Sequence, residues 1–236
     1  ELICPPLWLP TVEQLRAVAG SRNWTRIEGL QLLCQRGLLF HAHVYDDGRE
    51  WPAWVIADSR RTNMQARKYD GGLWNGIAGK KAKSLPGSDP SWPIGAAEIG
   101  DRPVVILCEG QPDFAAALLV AWHEGLPVER VAPVCVTGAA QQLHRESLPF
   151  FHGKYVRIAV HDDVEGHDAG RRWSGQLFDA GAAQVDGLYF EGRTKRDGTP
   201  VKDLADYATL IDPAYPPAAP VFADLKRFVS TSSLGA

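Results

Sequence analysis

Residues 156–170, VRIAVHDDVEGHDAG, place a histidine and several carboxylates directly after an apolar run that ends at Val160. The polar residues are His161, Asp162, Asp163 and Glu165, followed by Gly166. Carboxylates and imidazoles are common metal ligands in proteins. The pattern therefore indicates a buried strand whose carboxyl end carries a metal site.

Acidic residues also follow two other apolar runs. Glu109 and Gly110 follow PVVILC, and Asp113 lies one helical turn later. Near residue 200, the polar residues are Lys202, Asp203 and Asp206. The carboxyl ends of parallel strands meet at one edge of a sheet, so we expect these acids to converge. Packed carboxylates repel one another unless a cation binds, and Mg²⁺ is the cation that prefers oxygen ligands.

Strands and helices alternate from residue 102 onward. Apolar runs predict strands at 103–110, 131–138, 155–160 and 183–190, and helices are predicted at 113–124, 168–180 and 203–210, with a weaker one at 141–150. Fully apolar strands that alternate with helices are typical of a parallel α/β sheet covered on both faces. The predicted fold class is therefore α/β.

The first hundred residues follow a different pattern. Capping boxes at Thr11–Gln14 and Thr25–Glu28 predict two helices. Strands are expected at 38–45, 51–58 and 65–70, with Asp46-Asp47-Gly48 turning the first hairpin. We expect a small α+β subdomain over 1–100, the parallel sheet over 101–212, and a proline-rich linker and tail over 213–236.

Basic residues are concentrated within 60–83, although the whole chain carries a net charge of −3. This segment contains Arg60, Arg61, Arg67, Lys68, Lys80, Lys81 and Lys83 against the single acid Asp70. Such a basic patch indicates contacts to nucleic-acid phosphates, and the alternative is a solvated basic face. Trp54, Trp74 and Trp92 could stack on unpaired bases, but core packing is the more common role of such residues.

The cysteines indicate the compartment. Cys4, Cys34, Cys108 and Cys135 form no CxxC pair, which argues against a zinc site and against a disulfide framework. Free thiols indicate a cytoplasmic protein. The first residues lack the features of a signal peptide, and no apolar run reaches the roughly 18 residues that span a bilayer, so we expect no membrane contact.

Three ordered motifs resemble the Toprim domain of primases, topoisomerases and some nucleases. ILCEGQPDFAAAL is similar to its strand–Glu–Gly motif, IAVHDDVEGHDAG to its strand–Asp-x-Asp-x-x-Gly motif, and VKDLADYA to the Lys-Asp-rich segment of primases. The likeness covers about residues 102–210. RGLLFHAHV, AWVIAD, ARKYDGGLW and KAKSLPGSDPSWPIG resemble the basic subdomain that precedes Toprim in primases of phages, plasmids and other mobile elements.

The resemblance implies a DNA primase-type nucleotidyltransferase that needs Mg²⁺ or Mn²⁺ and no organic cofactor. Its substrates would be a single-stranded DNA template and nucleoside triphosphates, and a helicase would act in cis or in trans. Glu109 would be the general acid or base, and the metal ligands would be Glu109, Asp163 and Asp203, with Asp162 and Asp206 as weaker candidates. The basic segment and Lys202 would bind phosphates. Asp113 matches an acid found in primases, or it caps a helix.

His161, the second catalytic candidate besides Glu109, stands where the family pattern has an aspartate. Three interpretations stay open: it binds a softer metal than Mg²⁺, it holds a metal-bound water or a substrate phosphate, or it only turns the loop. The departure also leaves open a degenerate nucleic-acid-binding module that tethers a helicase. A further alternative, which the resemblance itself implies, is a Toprim nuclease. The absence of a zinc ribbon and a helicase from this sequence fits a fragment or a stand-alone relative.

Overall fold

A computed structural model describes residues 3–75 and 79–230 of the chain. The α-helices are α1 (Val12–Ser21), α2 (Glu28–Gln35), α3 (Gln111–His123), α4 (Val164–Asp179), α5 (Leu204–Ala208) and α6 (Lys226–Ser230). The strands are β1 (Leu39–Asp46), β2 (Arg49–Ala57), β3 (Met64–Lys68), β4 (Lys83–Ser84), β5 (Val104–Cys108), β6 (Val131–Cys135), β7 (Tyr155–Ala159) and β8 (Gln184–Leu188). Short 3₁₀ helices cover 128–130, 145–151 and 223–225.

Strands β1 to β4 form an antiparallel sheet in chain order. The β1–β2 hairpin pairs Asp46 with Arg49, which leaves Asp47 and Gly48 as the two turn residues. Both have positive φ, 49° and 80°, as an Asp-Gly hairpin turn requires. The predicted turn is therefore confirmed.

Strands β5 to β8 form a parallel sheet in the order β6-β5-β7-β8. Alternate residues of β5 enter two different cores: Ile106 packs on the α3 side and Leu107 on the side of Trp173 from α4. Helix α3 is almost entirely buried, which explains its uniformly apolar sequence. The α/β class with a helix-covered parallel sheet and a preceding α+β segment is confirmed.

The first hundred residues share a core with the parallel sheet. Helices α1 and α2 contribute Leu15, Leu30 and Leu33 to the cluster that contains α3. Contact between α2 and α3 is close: a Cβ on Gly29 would lie 2.5 Å from the backbone nitrogen of Leu119. The predicted boundary at residue 100 stays a prediction, because the packing is continuous across it.

The structure corrects two expectations about local sequence. Helix α2 begins after Ile27 without a side-chain cap, since the Thr25 hydroxyl donates to the Ile211 carbonyl instead. The proposed linker and tail also contains packed residues: Phe222 and Leu225 are fully buried. The proline-rich composition hid these two apolar anchors. Residues 231–236 lie outside the described part of the chain.

The cysteines of the described residues are free thiols, and Cys108 and Cys135 are buried as expected. Burial raises the pKa of the Cys135 thiol to about 12. Within the described residues, helices long and apolar enough to cross a bilayer are absent.

Candidate active site

The three predicted motifs converge at the carboxyl ends of β5 and β7. Glu109 follows β5 directly, and His161 lies two residues beyond the end of β7. Asp203 is the N-cap of α5, which the chain reaches after β8. Together with residues of the first segment, these side chains line a cavity of about 410 Å³.

His161 lies between two carboxylates of the first motif. Its Nδ1 atom lies 3.4 Å from Oε2 of Glu109, and its Nε2 atom lies 2.9 Å from Oδ2 of Asp113. Burial lowers the pKa of His161, but the hydrogen bond to Asp113 and the charges of Asp113 and Glu109 outweigh burial and raise the pKa to about 9. The same burial raises the pKa of Glu109, against the opposing charge of His161. The imidazole therefore belongs to the acidic cluster.

Asp113 is the most enclosed acid of the cluster, with 2% of its surface exposed. The N-cap of α3 is Gly110, so Asp113 does not cap that helix. Instead its Oδ1 atom accepts a hydrogen bond of 2.9 Å from the backbone nitrogen of Ala205 at the start of α5. Asp113 was absent from the predicted metal ligands. Its position four residues after Glu109, one helical turn away, could have identified it as a candidate.

Asp203 caps α5 and also belongs to a group of possible metal ligands. Its Oδ1 atom accepts from the Asp206 backbone nitrogen at 2.6 Å and so caps α5. Burial and the charge of Asp113 raise the pKa of Asp203 to about 7. One ligand atom from each of Asp113, His161 and Asp203 lies within 4.8 Å of the other two.

The other predicted acids lie around this group. Asp163 caps α4 by accepting from the Gly166 backbone nitrogen at 2.7 Å, and its charge acts on Glu109. Asp162 is exposed and lies 3.7 Å from His167. Asp206 accepts from Lys195 at 3.2 Å. These three acids are therefore near the site but outside its tightest cluster.

Two arginines line the same cavity as the acids. Arg22 lies at the end of α1 and Arg67 on β3. Nε and Nη2 of Arg22 and Nε of Arg67 are buried and have no hydrogen-bond partner among the described residues. Burial lowers the pKa of the Arg22 guanidinium, and burial together with Arg22 lowers the pKa of Arg67 to about 10. Incompletely partnered guanidinium groups in a cavity are suited to an anionic ligand.

Arg22 was not predicted from the sequence because its position depends on a distant contact. Trp24, two residues later, is buried, and its Nε1 atom donates to the carbonyl of Ala205 at 3.0 Å. This bond holds the end of α1 beside the start of α5. No spacing rule within the first segment reveals it.

The predicted basic residues divide into several groups. Arg67 and Lys81 line the site cavity, and Lys80 lies beside them in the adjoining depression. Lys68 is 4% exposed, and its ammonium lies 3.5 Å from the centre of the Trp51 ring. Lys83 forms a 2.8 Å ion pair with Asp46. The remaining members, Arg60, Arg61 and Lys202, are exposed.

The three tryptophans near the basic segment have structural positions. Trp54 and Trp74 are fully buried, and Trp92 is 6% exposed. Core packing is therefore their role in this structure.

The donor set suits a divalent cation. Two carboxylates and an imidazole nitrogen lie close together, and this is a donor set that a divalent cation can bind. Oxygen and imidazole ligands bind Mg²⁺ and first-row transition metals. The residues present therefore fit the metal that the resemblance implies.

Structural comparison, but not sequence comparison, finds similar known proteins. No protein-family model and no curated protein matches the sequence. The primase fragment of the bacteriophage T7 primase-helicase protein matches with a TM-score of 0.50 and 15% identity, over 79% of this chain and 66% of that one. The chain therefore has a primase-type Toprim fold.

Two further structures show weaker likeness. The DnaG catalytic core gives a TM-score of 0.46 at 17% identity, over 86% of this chain and 59% of that one. A DNA primase domain from Pseudomonas aeruginosa gives 0.43 at 17% identity, over 85% and 58%. The chain spans slightly under two thirds of the length of the T7 fragment and a smaller share of the other two.

Proposed function

We propose that the chain is the catalytic core of a primase-like nucleotidyltransferase, which joins nucleotides on a DNA template in a divalent-metal-dependent reaction. The observation that carries the proposal is that Glu109, Asp113 and Asp203 line one cavity together with Arg22 and Arg67. Acids suited to a cation and guanidinium groups suited to phosphates are the two components that phosphoryl transfer requires. The primase-type Toprim fold agrees with this reaction class.

Glu109 is the proposed general acid or base. Its pKa is raised by burial, which moves it toward neutral pH, where a group can both accept and release a proton. It also lies beside the metal-binding group without belonging to its tightest cluster. This position leaves its carboxylate available for proton transfer.

Asp113, His161 and Asp203 are the proposed inner ligands, and Asp163 is a further ligand on the exposed side of the site. A bound divalent cation would neutralise charge on the phosphate groups. Asp162 and Asp206 would contact the metal through water, because each already contacts a basic side chain.

The two arginines would bind the phosphates of the nucleotide. Arg22 and Arg67 are enclosed, which suits the localised charge of a triphosphate. Lys80 and Lys81 are exposed at the rim and would contact the template backbone. Arg60, Arg61 and Lys202 could extend this contact to flanking DNA.

The proposed substrates are nucleoside triphosphates and a single-stranded DNA template. A helicase partner is proposed because the T7 relative is a primase-helicase protein. The test is incubation of the chain with single-stranded DNA, labelled nucleoside triphosphates and Mn²⁺ or Mg²⁺. Labelled oligomers would support primer synthesis. DNA cleavage in the absence of nucleotides would contradict it and indicate a nuclease.

A second candidate is supported by His161. Its contacts with Glu109 and Asp113 give the acids a built-in positive partner in the absence of metal. A degenerate module of this kind would bind single strands in a salt-sensitive manner and catalyse nothing. Creation of Mg²⁺-dependent activity by His161→Asp, in a chain otherwise inactive with Mg²⁺ and Mn²⁺, would favour this candidate.

A further inference from the structure

We propose that the site selects a first-row transition-metal dication, with Mn²⁺ as the test ion, over Mg²⁺, because Nε2 of His161 is a direct metal ligand. This inference rests on the proposed function only in placing the metal among the Toprim acids. Mg²⁺ strongly prefers oxygen ligands, whereas imidazole nitrogen is a good ligand for transition metals. One nitrogen among the inner ligands is therefore enough to change the order of affinities.

The orientation of His161 supports ligation. Metal-binding histidines commonly donate the other ring N–H to a carboxylate, which fixes the tautomer and aims the free nitrogen at the metal. Nδ1 of His161 lies 3.4 Å from Oε2 of Glu109, and Nε2 shares a hydrogen bond of 2.9 Å with Oδ2 of Asp113. Ligation would replace that hydrogen bond, with the ion binding to both atoms. In the metal-bound state, Glu109 would orient the ring and Nε2 would face the ion.

The carboxylate partners are also held in place. Oδ1 of Asp113 is bonded to the Ala205 nitrogen, so the Oδ2 atom beside His161 faces the site. Oδ1 of Asp203 is bonded to the Asp206 nitrogen. Each ligand is thus anchored through one atom before a metal arrives, which lowers the entropic cost of binding.

The backbone fixes the position of His161. A Cβ on Gly166 would lie 2.6 Å from the His161 carbonyl oxygen and 2.7 Å from its Cβ. Glycine at 166 therefore lets α4 begin directly against His161. With 20% of its side chain exposed, the imidazole faces the acids and does not merely turn a surface loop.

The decisive measurement is pulsed electron paramagnetic resonance of Mn²⁺ bound to the metal-free full chain, without DNA or nucleotide. We expect nitrogen coupling from a directly bound imidazole in the wild type. The coupling should vanish in His161→Gln and persist in His167→Gln, a control that alters a histidine outside the three-residue group. Mn²⁺ bound without nitrogen coupling in the wild type would overturn the inference.

Competition between the ions supplies the second measurement. We expect the ratio of Mn²⁺ to Mg²⁺ affinity to fall by about tenfold or more in His161→Asp, equivalent to about 1.4 kcal/mol. An unchanged ratio in a folded His161→Asp protein would overturn the inference.

The two proposals fail separately. Nitrogen-coupled Mn²⁺ in a protein that neither synthesises nor cleaves DNA would remove the proposed function and support the metal assignment. Primer synthesis that is as efficient with Mg²⁺ as with Mn²⁺, in a protein whose bound Mn²⁺ shows no nitrogen coupling, would support the proposed function and remove the metal assignment.

Discussion

The Asp113 carboxylate accepts a hydrogen bond of 2.9 Å from the backbone nitrogen of Ala205, which joins the first and third motifs across 92 positions of the chain. The Ala205 carbonyl accepts from Trp24, so the first segment is tied to the same point. One residue of α5 thus links the acids of the parallel sheet to the helix that positions Arg22. Asp113 and the end of α1 that carries Arg22 are therefore both fixed to Ala205.

Gly166→Ala should disturb the site through steric contact. The added methyl group would meet the His161 backbone and side chain, and overpacking of this kind costs about 1–3 kcal/mol. We expect a lower free energy of unfolding and weaker Mn²⁺ binding. Denaturant unfolding and metal titration measure the two effects.

Gly175→Ala is the matched control in the same helix. A Cβ at Gly175 would meet nothing within 4 Å, and alanine favours a helix by about 1 kcal/mol over glycine. The free energy of unfolding should equal or exceed that of the wild type, and Mn²⁺ binding should be unchanged. Equal effects at both glycines would show that His161 is not held by Gly166.

Arg22→Gln should weaken binding of a triphosphate. Loss of a charge-assisted contact costs about 1.5–3 kcal/mol, so the dissociation constant of tripolyphosphate should rise about tenfold or more by calorimetry. Arg16→Gln, an exposed position on α1, should change it little. Weaker binding of an oligonucleotide with unchanged binding of tripolyphosphate would place the DNA backbone, and not the nucleotide, at Arg22.

The motifs at the strand ends could be predicted because short-range pattern determines them. An apolar strand followed by Glu109, or by His161 and Asp163, brings acids to one edge of a parallel sheet whatever the rest of the fold. Arg22 could not be predicted, because its position depends on the contact between Trp24 and Ala205, 181 positions apart. The local sequence pattern does not predict a contact between residues so far apart in the chain.

Long-range contacts also explain why the burial of the tail residues Phe222 and Leu225 was not predicted. Phe222 and Leu225 are two apolar residues after a proline-rich stretch, too few to show a helical period. Their burial is completed by Glu124, which accepts from the backbone nitrogens of Val221 and Phe222 at 2.7 Å each. That carboxylate is nearly a hundred residues away in sequence.

Arg157→Gln should destabilise the fold by about 3 kcal/mol, the cost of breaking a buried ion network. The Arg157 side chain is 8% exposed and binds Asp186 and Asp224, the latter in the tail. Asp224→Asn should cost about 1 kcal/mol or less, because that carboxylate is half exposed. Urea unfolding followed by tryptophan fluorescence measures both, and a larger loss for Asp224→Asn would contradict the assignment of Arg157 as the buried centre.

Stability without metal should fall as the pH rises from about 6.5 to 9.5. The folded-state pKa of His161 is raised to about 9, above its usual 6.5, so its stabilising charge is present at low pH and is lost through pH 9. A shift of this size contributes about 3 kcal/mol. Unfolding in the presence of a chelator at several pH values should show this loss in the wild type and a smaller one in His161→Asn. Parallel curves for the two proteins would contradict the ion cluster.

The most direct test of the central claim is transfer of labelled nucleotides on single-stranded DNA by wild type and Glu109→Gln, with and without divalent metal. We predict metal-dependent product in the wild type and a loss of about 100-fold or more in Glu109→Gln at unchanged melting temperature, as expected for a general acid or base. Product that forms equally in the presence of a chelator, or that survives Glu109→Gln, would contradict the account.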